Sequence, residues 1–202
     1  MPQKTILCLG DSYTIGEGVP LFESFPYLLV QNLRNEGLSF AAPEIIAKTG
    51  FTTDELLQQI NETRFLNHYD YATILIGVNN QYRSYSLMDF EVELNKIYQF
   101  ALEKVSHQSQ KIIVLSIPNW GVTPFAKDRN EQQITQEIHQ YNAICNKLAQ
   151  KNNSTFIDIT PQTELAKSNI DLLTSDNLHY SKKSHLQWAN WVAQKIIAQE
   201  KL

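Results

Sequence analysis

Three short stretches of this chain place reactive side chains where a turn would expose them. In "ILCLGDSYTIGEG", beginning at Ile6, an apolar run stops at Gly10 and passes into Asp11 and Ser12. A second apolar run ends in Gly77-Val78-Asn79-Asn80, and near the C-terminus "TSDNLHYSKKS" sets Asp176 three residues before His179. A serine hydroxyl is a weak nucleophile until a base takes its proton, and the base works best when a carboxylate fixes its tautomer. Three residues span about one turn, so Asp176 and His179 can meet on one side of a loop or helix start. An asparagine amide such as that of Asn79 can donate to a developing oxyanion while staying neutral.

The turn after the first run also admits other uses. A dinucleotide fingerprint begins at Gly16 and Gly18, but Leu21 stands where the third glycine is needed, and the lysine of a Walker loop is missing. A flavodoxin-like phosphate loop is the better rival, because Ser12, Thr14 and Gly16 could offer hydroxyls and amides to a flavin phosphate. Among the other histidines, His68, His107 and His139 lie among polar neighbours and read as surface residues. His185 falls roughly 120° around the last helix from His179, which reads as packing or surface. Asp158, at the end of an apolar run, reads as a turn or cap, and Asp11 as an acceptor of local backbone hydrogen bonds.

What must position these residues is a repeated strand-and-helix unit. Short runs rich in Ile, Leu and Val at 5–9, 44–47, 72–76, 111–117 and 155–159 lack polar alternation, as strands buried on both faces do. Between them, apolar stripes at helical period run through Phe90, Leu94, Ile97, Ala101 and Val105, and through Ile134, Ile138, Tyr141, Cys145 and Leu148. Ala189, Val192, Ala193 and Ile196 form the stripe of a last helix, and Thr52-Thr53-Asp54-Glu55 fits a capping box. The pattern predicts an α/β three-layer sandwich with a flavodoxin-like parallel five-stranded sheet of order 2-1-3-4-5. Its switch point lies between the first and third strands, so Gly10-Asp11-Ser12 and Gly77-Val78-Asn79 should face one crevice. Tyr82, Tyr85, Trp120 and Phe125 follow strands three and four, placing aromatic side chains near its mouth.

The bulk numbers narrow the function classes. A chain of 202 residues is expected to form a single domain, and 43% hydrophobic with 19% charged residues is ordinary for a globular protein. A net charge of −4 argues against nucleic acid as partner, and no apolar stretch reaches the length of a membrane span. Cys8 and Cys145 have no metal-ligand or disulfide-framework spacing and read as small buried apolar residues. A cytoplasmic location follows as the default, with no metal or cofactor called for.

Taken in order, Gly10-Asp11-Ser12, Gly50 in "AKTGFTTDEL", Gly77-Val78-Asn79 and Asp176-x-x-His179 resemble the four blocks of the SGNH, or GDSL, hydrolases. The resemblance spans nearly the whole chain and implies the same flavodoxin-like sheet. It implies Ser12 as nucleophile, His179 as general base and acid, and Asp176 as the acid that orients it. The oxyanion hole it implies is made by the backbone amides of Ser12 and Gly50 with the side chain of Asn79. Two positions depart from the family's pattern: Tyr13 replaces the usual Leu, and Asn80 the usual Asp. Tyr13, Tyr82 and Trp120 are expected to touch substrate. There is no G-x-S-x-G, so the nucleophile elbow of the α/β-hydrolases is excluded. The implied activity is hydrolysis of carboxylic esters through an acyl-enzyme, with a small soluble or short-acyl ester as the expected partner. Sugar O-deacetylation, lysophospholipid or thioester hydrolysis, and a non-catalytic flavodoxin-like or degenerate ligand-binding module are the alternatives.

Overall fold

The computed structural model describes residues 3–201. Five parallel strands form one sheet in the order β2-β1-β3-β4-β5: β1 is Ile6–Gly10, β2 Glu44–Ala47, β3 Tyr71–Leu75, β4 Ile112–Leu115 and β5 Thr155–Ile157. Every residue of β1, β3 and β4 is buried, whereas the edge strand β2 is half-buried throughout. The unbroken apolar runs are thus explained by helices covering both faces of the central strands. Those helices are α1 (Ser12–Ile15), α2 (Phe25–Asn35), α3 (Thr53–Glu62), α4 (Val78–Tyr82), α5 (Leu87–Lys104), α6 (Glu131–Lys151), α7 (Thr160–Glu164) and α8 (Lys182–Glu200). α2 and α8 pack together, and α5 lies between α3 and α6. The stripes read from the sequence are the buried faces: Phe90 to Val105, Ile134 to Leu148 and Ala189 to Ile196 all line the core.

Two strands are shorter than the apolar runs that announce them. Past Leu115 one backbone bond continues the pairing, from the Ser116 amide to the Ile157 carbonyl (3.0 Å), and beyond it side chains take over: Ser116 Oγ accepts the amides of Ile159 (2.8 Å) and Thr160 (3.0 Å) and donates to Asp158 (2.8 Å). Ile117 N–H turns to Asn142 Oδ1 at 2.6 Å. Asp158 also accepts from the Thr160 amide two residues on, so it holds the turn that leads into α7, whose N-cap is Ile159. Cys8 and Cys145 are free and buried, and burial pushes both thiols up to about 12.

The register aligns the strand ends that matter. Gly10 sits opposite Ala47 on one side and Leu75 on the other. A Cβ at Gly10 would lie 2.1 Å from Thr14 Oγ1 and 2.3 Å from the Leu75 carbonyl oxygen, which is why the run must stop at a glycine. The turns after β1, β2 and β3 therefore emerge at one edge of the sheet, at its switch point.

Candidate active site

Ser12 is the first residue of α1, launched directly from the end of β1. Asp11 is the N-cap: its Oδ1 accepts the Tyr13 amide at 3.0 Å, fulfilling the expected local role. The short helix closes on Gly16 in the left-handed region (φ 79°), whose amide returns to the Ser12 carbonyl. Ser12 is largely buried, with the remainder of its surface on a cleft.

Asp176 and His179 lie in a tight excursion between α7 and α8, bracketed by the antiparallel bridge of Leu173 with Tyr180. The Thr174 amide donates to the His179 carbonyl at 2.8 Å, which closes the loop. Asp176 Oδ1 accepts the amides of Leu178 and His179, both at 2.9 Å, and the Thr174 hydroxyl at 2.7 Å. Its Oδ2 is 2.6 Å from His179 Nδ1. Partial burial alone would raise the Asp176 carboxyl, but the bonds from His179, the two amides and Thr174 outweigh it and hold the group well below the usual carboxylate range. A carboxylate fixed on Nδ1 leaves Nε2 as the nitrogen free to take a proton from elsewhere. The Tyr13 ring packs against His179 and Tyr180, its centroid 5.6 Å from the imidazole and 5.7 Å from the Tyr180 ring.

Ser12 and His179 share one cleft of about 190 Å³ with Tyr13, Asn79, Tyr82, Trp120, Phe125, Val78 and Leu178. Among the described residues no hydrogen bond joins the Ser12 hydroxyl to His179. Such contacts are often long without substrate and tighten when it binds. Trp120 and Tyr82 meet edge to face at 5.2 Å, and Trp120 and Phe125 at 6.1 Å. Trp120 is fixed through its indole N–H, which donates to Gln81 Oε1 at 2.6 Å.

α4 carries the second group of polar side chains. Asn79 Nδ2 donates to the Phe51 carbonyl at 2.9 Å, which engages one of its two N–H bonds. Asn80, the departure from the usual Asp, is fully buried and pins the start of α3: it accepts the Thr53 amide (3.1 Å) and donates to the Thr53 hydroxyl (2.7 Å). Gly50 adopts φ +87° and does not itself line the cleft; its link to it runs through the Phe51–Asn79 bond. The capping box of α3 is present, with the Thr52 side chain and Glu55 closing it.

Ser12, Tyr13, Asn79, Tyr82, Trp120 and His179 thus converge on the cleft, with Asp176 behind His179 and Gly50 one bond removed. Tyr85 belongs elsewhere: it lines a separate depression with Gln81 and Glu137, and its carbonyl accepts the Tyr141 hydroxyl. Three residues escaped the sequence reading. Leu178 lines the cleft directly before His179, Gln81 braces Trp120, and Arg83 reaches the carbonyl of Gly50. The last had a usable signal, since Arg83 lies one helical turn beyond Asn79. His185 is fully buried against Trp188, and His139 is exposed. Among the described residues no cluster of three or more His, Cys, Asp or Glu side chains is arranged to hold a metal. No described helix is long and apolar enough to cross a membrane.

Among solved structures the fold is similar to a lipase/acylhydrolase from Enterococcus faecalis, at a TM-score of 0.77 and 19% identity over 98% of this chain and 97% of that one. It is also similar to Axe2, an acetylxylan esterase from Geobacillus stearothermophilus (TM-score 0.73, 20% identity, covering 96% and 94%). The psychrotrophic esterase EstA from Pseudoalteromonas sp., in a structure inhibited by monoethylphosphonate, gives a TM-score of 0.72 at 16% identity over 99% and 100%. No curated protein sequence matches the chain. The family does identify itself at the level of sequence: the chain belongs to the GDSL-like lipase/acylhydrolase family, whose profile matches residues 8–186. Membership makes the protein an ester-bond hydrolase.

Proposed function

We propose that the protein is a serine esterase that forms an acyl-enzyme on Ser12 and acts on small or short-acyl carboxylic esters. The observation that carries this reading is the pairing of Asp176 with His179 at 2.6 Å on the same cleft as Ser12. In this mechanism His179 Nε2 takes the Ser12 proton as Oγ attacks the ester carbonyl. The C–O bond to the alcohol then breaks, and the alcohol leaves with that proton. Water, deprotonated by the same histidine, attacks the acyl-enzyme and releases the acid while Ser12 recovers its proton. The tetrahedral oxyanion of each half-reaction is held by the amides of Ser12 and Gly50 and by the Asn79 N–H not engaged by Phe51.

The cleft supports a small apolar acyl or aryl group. About 190 Å³ is little more than the roughly 150 Å³ of an engineered cavity that accepts benzene, and the wall is mostly aromatic and aliphatic. Tyr82, Trp120 and Phe125 are the substrate contacts in this reading, with Tyr13 shaping the floor. We place the whole reaction in one domain, and in the cytoplasm, where the free Cys8 and Cys145 would stay reduced.

The test is hydrolysis of p-nitrophenyl acetate, butyrate and longer esters by the wild type and Ser12→Ala, without added metal. Turnover should fall by at least about three orders of magnitude in the variant, with the ~10⁶-fold loss known for removal of a catalytic serine as the upper end. A phosphonate ester should label the wild type once per chain and leave the variant unmodified. Equal turnover by both proteins would rule the serine mechanism out.

A further inference from the structure

The turn that carries Gly50 is gripped from α4 and its C-cap by three side chains. Asn79 takes the Phe51 carbonyl, Asn80 takes both the amide and the hydroxyl of Thr53, and Arg83 takes the carbonyl of Gly50 itself, Nη2 to O at 2.7 Å. Arg83 Nη1 at the same time reaches both oxygens of Glu55 at 3.2 Å. Glu55 is in turn fixed by the Thr52 amide (2.9 Å) in the capping box of α3, while the Thr52 hydroxyl is shared between Asp54 and Glu55. One guanidinium therefore joins three separate pieces: the end of α4, the carbonyl of the left-handed Gly50, and the first turn of α3.

Stability is a poor explanation for this arrangement. The Arg83 and Glu55 side chains are 39% and 40% exposed, and ion pairs so open to water contribute little to folding. Geometry offers a better one. Gly50 has φ +87°, and a Cβ there would meet only Arg83 Nη2, at 3.4 Å, so packing does little to hold this peptide in place. Hydrogen bonds must do it, and a planar fork that satisfies a carboxylate and a carbonyl together suits Arg better than Lys.

We propose that Arg83 is a positioning residue: it fixes the Gly50–Phe51 segment so that the Gly50 N–H and the Asn79 amide are aimed at the oxyanion, and Glu55 fixes Arg83. The proposal rests on the reading of Ser12 as nucleophile with Gly50 and Asn79 as donors. Arg83 touches neither substrate nor the reacting atoms. Its contribution is the placement of donors whose worth depends on fractions of an ångström.

The experiment compares kcat and KM for p-nitrophenyl acetate and butyrate in the wild type, Arg83→Met, Arg83→Lys, Glu55→Gln and Ser12→Ala, with melting temperatures for each. Removing a whole oxyanion donor costs about 10²- to 10³-fold in kcat, so loosening one should cost roughly 10- to 100-fold. Arg83→Met should show that fall in kcat with KM changed less than about threefold and a melting temperature within a few degrees of wild type. Arg83→Lys should recover part of the loss, because an ammonium reaches the Gly50 carbonyl without also forking onto Glu55. Phosphonylation of Ser12, which builds a tetrahedral oxygen on the same donors, should slow in proportion to kcat. Should Arg83→Met fail to fold, Glu55→Gln carries the test, with a smaller fall of the same kcat-only kind. Wild-type kcat in Arg83→Met, or an effect confined to KM, overturns the positioning role while an inert Ser12→Ala leaves the serine mechanism standing. A fully active Ser12→Ala overturns both.

Discussion

Asp11 illustrates how one residue of the GDS turn can be essential to its shape and still strain its energetics. It is almost fully buried, its Oδ1 caps α1 through the Tyr13 amide, and its Oδ2 has no hydrogen-bond partner among the described residues. Burial pushes the carboxyl up to about 7, with the Tyr13 amide only partly opposing it. The sign follows from linkage. Between the ordinary carboxyl value near ~3.9 and about 7 the folded chain keeps a proton that the unfolded chain gives up, so stability falls as pH rises through that window. At ~1.4 kcal/mol per unit, the full window is worth about 4 kcal/mol. Asp11→Asn preserves the Oδ1 acceptor and abolishes the titration. Urea denaturation at pH 4, 5.5 and 7 should therefore show the variant gaining on the wild type as pH rises, whatever constant offset the amide introduces. A difference that stays level across the three pH values would contradict the buried, protonated carboxyl. The role of Asp11 as a local acceptor was legible from its place in a tight turn, but its isolation was not, because the groups that seal it in come from β3 and beyond.

At the scale of elements, the junction of α2 with α8 carries the opposite pH dependence. His185 Nδ1 accepts the amide of Phe25, the first residue of α2, at 3.2 Å, satisfying one of the donors a helix start leaves open. Its ring meets Trp188 edge to face at 4.9 Å. Burial, helped by nearby His179 and resisted by the Tyr180 backbone, lowers its pKa to about 3. Below the unfolded value near ~6.5 the unfolded chain binds a proton that the folded chain refuses, so stability drops as pH falls from there towards 3. His185→Asn, which can still accept from Phe25, should be less stable than wild type at pH 7 and close the gap by pH 4, read from melting temperatures. A parallel fall of both proteins would mean that His185 is not the titrating group. Periodicity placed Ala189, Val192, Ala193 and Ile196 on the buried face of α8 correctly, yet it left His185 between packing and surface, because a stripe does not say what a polar residue at its edge will find. The ends of β4 and β5 were overread for a related reason. Ile117 and Ile159 are buried and apolar, as strand residues are, but their amides go to side chains instead of the ladder. The partners of Arg83 are not legible beside it, because Gly50 lies on the turn after β2 and Glu55 in the first turn of α3, 33 and 28 residues earlier.

For the whole molecule, the alternation of buried strands with amphipathic helices was enough to give the sheet order, and the order places the turns after β1 and β3 side by side. The shape of the cleft between them was not legible, since its wall is assembled from α1, α4, the turns after β4 and the loop before α8. That wall bears on selectivity. Trp120 is buried and anchored to Gln81, so it is the fixed side of the cleft, whereas Tyr82 and Phe125, 45% and 46% exposed, are its solvent-facing side, Phe125 on a short helical turn. If the acyl group occupies this cleft as proposed, a chain longer than the cleft runs out past these two rings. Rejection of a chain by an apolar pocket is worth about 1–3 kcal/mol per misfit methylene, so wild-type kcat/KM should fall steeply between butyrate and octanoate esters. Phe125→Ala removes one of these rings but keeps the backbone bond from residue 125 to the Asn177 carbonyl at 3.2 Å, so the loop should hold its course. The ratio of kcat/KM for p-nitrophenyl octanoate to that for the acetate should then rise by roughly tenfold or more, with acetate hydrolysis nearly unchanged. An unchanged ratio would place the acyl group elsewhere, and Phe125 would then be a contact of the alcohol or of neither half of the ester.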